Sequence, residues 1–291
     1  MLRRLYTNLV PNAKRWKKPT RSQRLLRVVL VIAFALSLPG YASKSSEPRA
    51  GASGPVSIAT VFDNLVLRPG LTQRWGFAAV VTTPSAVVLF DTGSDGPVLL
   101  SNMKEMRLAP ENVTAIVISH IHQDHSGGLR TFLKANPKVT VYLPTSFPNS
   151  LRQMVRRAGA RTHDVHAPET IATGIHTTGQ MDGHLYEQAL VVETREGLVV
   201  LTGCGHPGIV RMVEQARAVV PDKPVNLVMG GFHLMHASDS EIESVIRDFR
   251  RLGVKRVAPS HCTGDRARAR FKKAFGTDYV PGGLGGVLVF R

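Results

Sequence analysis

Three histidines and one aspartate fill four of six consecutive positions, His120-Ile-His122-Gln-Asp124-His125, inside the stretch SHIHQDHSGG (119–128). Neutral imidazoles and carboxylates are ligands for divalent cations. His120 and His122 stand two apart, so on an extended continuation of a strand their side chains point to one side and can share an ion. Asp124 and His125 fall in the turn beyond, where Gly127-Gly128 lets the backbone bend tightly into the next helix. Four ligands in so short a segment crowd a single tetrahedral ion that also needs an open position for catalysis. Two adjacent ions, each completed by a histidine from elsewhere, divide the ligands better. His206 and His261 are the available completers. The alternative is a histidine-rich surface loop that binds nothing.

The completers share a setting with the motif. VISH-IHQDH, VVLTG-CGH and RVAPS-HCTG each run from an apolar strand straight into His or Cys. Ligand sites in open α/β sheets collect where strands end and loops begin, so residues near 120, 205 and 261 are expected in one cleft. The patterning predicts strands over 77–83 and 86–93, a hairpin turning at Pro84-Ser85, and a strand buried on both faces over 113–120. Further strands are predicted over 139–144, 188–194, 197–203, 225–231, 254–261 and 286–290. Helices are expected over 96–108, 127–135, 207–219, 239–252 and 264–274. Hairpins mixed with strand–helix units imply a layered α/β architecture, helices outside and sheets inside.

The charge of +16 over 291 residues suggests a nucleic-acid binder until it is located. Residues 1–42 hold nine Lys or Arg and no acid, which leaves +7 for the rest. Basic residues precede the apolar run VVLVIAFALSL (28–38), and Gly40 and Ala42 occupy the −3 and −1 places of a cleavage site. Such a run spans about 16 Å as a helix, against roughly 30 Å of bilayer core. Residues 1–42 therefore read as a signal peptide, or as an uncleaved anchor, contacting membrane or export machinery. Residues 43–55 read as a flexible linker and 56–291 as the working domain, exported to the periplasm or facing outside the cytoplasm. No basic stripe with interleaved aromatics is evident, so no nucleic acid is expected. The remaining +7 can attract an anionic small-molecule substrate, or be scattered surface charge.

His120-x-His122-x-Asp124-His125 resembles the HxHxDH signature of the metallo-β-lactamase fold superfamily, and LFDTG (89–93) is similar to an early strand-end motif of that superfamily. TGCGHPGIV (202–210), GGFHL (230–234) and PSHCTG (259–264) narrow the resemblance. They are similar to a branch of metal-dependent hydrolases related to the archaeal dihydropterin-linked ribofuranosylaminobenzene 5'-phosphate synthases. The resemblance covers about 58–291 and implies an α/β fold, a four-layered αββα sandwich with metals at one edge of the two sheets.

Residue by residue, it implies His120 and His122 on a first metal and Asp124, His125 and His261 on a second. His206 is the choice for the third ligand of the first metal, with His184 in GHLYEQAL its competitor. Asp91 would orient a ligand imidazole. Cys204 stands where relatives place a bridging aspartate; it is a thiolate ligand, a buried small residue, or half of a disulfide with Cys262. His233 would bind an anionic substrate group or protonate a leaving group, or else be a core histidine.

Two divalent ions about 3.5–4 Å apart bridge a water and lower its pKa from about 15.7 toward about 7. Zinc is the default for so histidine-rich a set, with manganese or iron as alternatives. The expected activity is hydrolysis of an ester, phosphoester, lactone or amide, with Asp124 also orienting the hydroxide. A pterin-pathway-like transferase and a metal-binding redox protein are the alternatives. Specificity is expected from loops over 62–76 and 144–184.

Overall fold

The structure, a computed structural model, describes residues 54–291. The proposed signal peptide or anchor (1–42) and residues 43–53 of the linker lie outside the described residues. Thirteen strands follow in order: β1 (Val56–Phe62), β2 (Ala78–Thr82), β3 (Val87–Phe90), β4 (Ala115–Val117), β5 (Thr140–Pro144), β6 (Arg161–Val165), β7 (Glu169–Ala172), β8 (Ile175–Thr177), β9 (Leu190–Thr194), β10 (Gly197–Thr202), β11 (Val225–Gly231), β12 (Arg256–Ser260) and β13 (Val287–Phe290). The helices are α1 (Gly96–Glu105), α2 (Gln123–Ser126), α3 (Leu129–Ala135), α4 (Asn149–Arg157), α5 (Ile209–Val219), α6 (Asp239–Arg251) and α7 (Asp265–Phe275). One sheet has the order β13-β1-β2-β3-β4-β5-β6 and the other β12-β11-β10-β9-β8-β7.

Alternation along the strands produces the layers. In β3, Val88 and Phe90 enter the core between the sheets, while Leu89 joins Leu99 of α1 and Phe132 of α3 on the outer side. In β10, Val199 and Leu201 face the first sheet, whereas Leu198 and Val200 pack with Met212 of α5 and Phe249 of α6. Both sheets are thus covered on both faces, which explains apolar runs without polar alternation. The result is the expected α/β arrangement of two mixed sheets between helical layers. Helix starts are locally encoded: Asp95 caps α1 by accepting from Val98 N at 2.9 Å, and Ser238 with Glu241 forms a capping box on α6.

Three local expectations change. The strand predicted over 113–120 ends at Val117, so His120 and His122 lie on irregular chain. The helix predicted from 127 is two, α2 and α3, and Gly127 and Gly128 have right-handed helical φ of −65° and −75°. What these glycines supply is proximity, since a Cβ on Gly128 would stand 2.2 Å from Thr92 O. The stretch 144–184, expected as specificity loops, contains α4, β6, β7 and β8. Among the described residues no helix is long and apolar enough to cross a membrane.

Parallel pairing sets up the site. β3 and β4 run parallel, as do β10, β11 and β12. Their C-terminal ends therefore leave each sheet at a common edge, carrying Asp91, the 118–125 segment, Gly203–His206, His233 and His261.

Candidate metal centre

Asp91 is the anchor of the cleft. It is fully buried, with a left-handed φ of 59°. Its Oδ1 accepts from Ser119 N at 2.7 Å, and its Oδ2 accepts from Ser119 Oγ at 2.7 Å and from His125 Nδ1 at 2.8 Å. With its proton committed to Asp91, Ser119 Oγ accepts from His120 Nδ1 at 2.9 Å. Across the cleft His261 Nδ1 donates to Asn64 Oδ1 at 2.9 Å. Three imidazoles are thus braced through Nδ1, which directs each Nε2 into one space.

What meets there is unusually unsatisfied. His120 Nε2, His261 Nε2 and both ring nitrogens of His206 are buried without a hydrogen-bond partner among the described residues. The His120 ring centroid lies 4.9 Å from His122, 4.1 Å from His125 and 4.7 Å from His206. His125 Nε2 stands 3.3 Å from Cys204 Sγ and 3.5 Å from Asp124 Oδ2, and His261 Nε2 is 3.2 Å from that same oxygen. Two of the groups whose ligand atoms lie within 4.8 Å of one another contain these imidazoles: Asp124, His125, Cys204 and His261, and His120, Cys204 and His206. Cys204 belongs to both. His122 adjoins the second group through ring contacts at 4.9 Å to His120 and to His206. These His, Asp and Cys groups can hold metal.

The placements bear on the alternatives left open by the sequence. His206 joins His120, whereas His184 is exposed and outside both groups. Cys204 and Cys262 are both free and buried, so the disulfide alternative does not describe this structure. His233 is exposed, its ring 4.4 Å from that of His206, on the rim rather than in either group. Non-glycine residues with positive φ number four among the described residues, and three of them, Asp91, His233 and His261, are here. Such conformations persist where surrounding structure over-determines them.

Electrostatics divides the cluster. Burial, and then crowding by His233 and His122, lowers His206 to about 3, and burial with neighbouring imidazoles lowers His120 as well. Both are therefore neutral, with lone pairs available. Burial also disfavours charge on His125, but the Asp91 and Asp124 carboxylates outweigh it and raise the pKa to about 10. Burial opposes ionisation of Asp124, yet the adjacent His125 and His261 imidazoles hold it well below the usual carboxylate range. A cation bound among these groups replaces the proton they share.

Several residues that build the cleft carry no spacing signal. Glu187 is fully buried and accepts from the backbone N–H groups of Gly203, Cys204, Gly205 and His206 at 2.8–3.1 Å. Gln188 Nε2 donates to Ile118 O at 2.9 Å and its backbone N donates to Ser119 O at 2.9 Å, tying one sheet to the other. Gly203 leaves room for that junction, because a Cβ there would meet Ser119 Oγ at 2.2 Å. Trp75, half exposed, lies against His261 from the loop before β2, the ring centroids 4.8 Å apart and the planes tilted by 51°. Beside His206 and His233 a cavity of about 570 Å³ opens, its apolar wall formed by Ile209, Phe232, Leu234 and Val245.

Comparison with known proteins agrees with this fold. Residues 74–261 match the metallo-beta-lactamase superfamily domain. The chain is 28% identical to the 7,8-dihydropterin-6-methyl-4-(beta-D-ribofuranosyl)-aminobenzene-5'-phosphate synthase of Methanocaldococcus jannaschii, over 70% of this chain and 84% of that protein. The crystal structure of Tm1679, described as a metal-dependent hydrolase of the beta-lactamase superfamily, aligns with a TM-score of 0.65 at 28% identity, covering 80% of this chain and 98% of that one. The metallo-beta-lactamase fold protein YhfI of Bacillus subtilis shares the fold at a TM-score of 0.61 and 15% identity, over 81% of this chain and all of that one. With its sandwich, its braced imidazoles and a match over most of its length, the chain belongs to the metallo-β-lactamase superfamily.

Proposed function

We propose that the protein is a dinuclear metal-dependent hydrolase of a small molecule, carrying out its reaction outside the cytoplasm. One observation carries the reading: buried imidazole nitrogens of His120, His206 and His261, none with a hydrogen-bond partner among the described residues, converge beside Asp124 and Cys204. Buried polar atoms are nearly always paired, and divalent cations are the partners this donor set suits. His120, His122 and His206 would hold one ion. Asp124, His125 and His261 would hold the other, with Cys204 within reach of both groups. When bound, such a pair of cations supplies an activated water as nucleophile and polarises a carbonyl or phosphoryl oxygen.

The chain's own residues do the remaining work. Asp91 and Asn64 fix the ring orientations of His125 and His261, and Ser119 fixes that of His120. Glu187 holds the 203–206 loop against the cleft through backbone N–H groups. Asp124 orients the attacking water. His233, exposed on the rim beside His206, is placed to pass a proton to the leaving group or to bind an anionic substituent. The adjoining cavity accepts an apolar part of the substrate. Export rests on the basic and apolar pattern of residues 1–42 alone. Zinc is the metal proposed, from the number of histidines.

Elemental analysis of the purified protein, paired with assays on phosphodiester, lactone and β-lactam substrates, tests this reading. Two ions per chain and loss of hydrolysis on chelation are expected. An active enzyme with one ion or none overturns the dinuclear assignment, and unchanged activity in His122→Ala overturns the catalytic one. The similarity to the archaeal synthase favours a second reading as a transferase. Its mark would be formation of a dihydropterin-linked ribofuranosylaminobenzene 5'-phosphate and no hydrolysis in the same panel.

A further inference from the structure

A second set of soft ligands adjoins the metal centre and has only Cys204 in common with it. The ligand atoms of Cys204, His233 and Cys262 all lie within 4.8 Å of one another. Two sulfurs on one ion at about 2.3 Å each can stand no more than about 4.6 Å apart, so this spacing suits a shared cation with little movement. Both thiols are free and buried, and among the described residues the hydrogen-bond contact of Cys262 Sγ is a long one, 3.6 Å, to Cys204 O. Space for that sulfur is left by Gly231, where a Cβ would come within 2.6 Å of Cys262 Sγ and 3.1 Å of Cys204 Cα. His233 closes the group from the solvent side, held at a left-handed φ of 55° and lining the cavity of about 570 Å³ through which an ion can enter.

We propose that Cys204, Cys262 and His233 form a third cation site, selective for thiophilic ions, that shares the Cys204 sulfur with the metal centre. The two groups assigned above contain one sulfur each among nitrogens and oxygens, whereas this one offers two sulfurs and one nitrogen. Thiolate-rich sites favour soft ions such as cuprous copper and cadmium over magnesium, calcium or manganese. Binding releases the Cys262 thiol proton to solvent, and that of Cys204 where it carries one, without electron transfer. An ion held there draws on the sulfur within reach of both catalytic groups, so it also inhibits. The site depends on the dinuclear reading only through Cys204, and the two can fail separately.

The test is a titration of zinc-loaded protein with cadmium, following the sulfur-to-cadmium charge-transfer absorption and the metal content after gel filtration. Wild-type protein is expected to take up one cadmium beyond its zinc. Cys262→Ser should weaken cadmium binding by roughly tenfold or more and diminish the band while keeping its zinc. His233→Asn, a residue that tolerates the left-handed backbone, should also weaken it. The proposal is overturned if Cys262→Ser binds cadmium as tightly as wild type, or if every cadmium taken up expels one zinc. Should Cys262→Ser fold poorly, Cys262→Ala and His233→Asn decide the same question. His122→Ala separates the two readings: it should lower zinc content and leave the Cys262-dependent band in place, and unchanged zinc there counts against the metal centre alone.

Discussion

The two halves of the cleft are held in different ways. Around Asp124, His125 and His261, imidazoles lean on carboxylate and carboxamide: Asp91 supports His125 and Asn64 supports His261. Around His120, His122 and His206 no carboxylate or carboxamide among the described residues pairs with a ring; His120 leans on the Ser119 hydroxyl, and His120 and His206 are neutral rings with unsatisfied nitrogens. The first half carries its charge balance with it. The second depends on the position of one loop, which Glu187 fixes from behind through four backbone N–H groups. Side-chain pairing builds one half, and main-chain anchoring builds the other.

Removing Asp124, a ligand with contacts to both His125 and His261, should have the largest effect. Asp124→Ala is expected to lower kcat by roughly a thousandfold and to leave about one ion per chain by elemental analysis. Retention of both ions would show that the carboxylate is dispensable to its half. Glu187→Gln comes next, because a neutral amide cannot accept all the N–H groups that the carboxylate accepts. A stability loss on the order of 3 kcal/mol in urea unfolding is expected, with metal lost first from the His206 side. If the loss is confined to the His125 side instead, the division between the halves is wrong. Asp91→Asn should weaken the second ion, whose ligand His125 it touches directly, by roughly 10–100-fold in chelator competition, and the first, reached only through Ser119, by less.

The smallest effect is expected far from the cleft. Glu193, buried on β9, pairs with His176 at 2.8 Å and Lys223 at 2.9 Å. Burial works against its charge, but Lys223 and His176 outweigh that and lower its pKa. A depressed carboxyl pKa stabilises the fold above the unfolded value and ceases to do so as pH falls through the folded one. Glu193→Gln should therefore cost about 1 kcal/mol at pH 7, and the gap to wild type should close on acidification below about pH 4. Metal content should not change; a change there would mean that the halves of the cleft are not specified locally.

What could be seen in the sequence was whatever is contiguous or periodic. His120 to His125 announce themselves by spacing, and His206 and His261 by following apolar strands directly. The buried strands β3, β10 and β11 are legible because both faces are covered. Glu187 and Gln188 are not, since an isolated Glu-Gln pair at the head of a strand looks like a solvated turn until Gly203–His206 folds over it. Asn64 and Trp75 sit in a loop without periodicity and gain meaning only from His261, nearly two hundred positions later. The edge strands β6 and β7 and helix α4 escaped because their residues are polar or charged where the sheet and helix face solvent.

Gln188 has a consequence for how the molecule opens. Just ahead of β9, its amide side chain and backbone N–H bind Ile118 and Ser119, the residues that follow β4, so the sheets are stitched at the edge where the ligands meet. Partial unfolding of the sandwich must start elsewhere, and the stitched edge separates only with the whole. In hydrogen exchange the Gln188 amide should accordingly rank among the slowest, exchanging by global unfolding. A cluster kept assembled through every smaller fluctuation can lose its ions and regain them without having to refold around them.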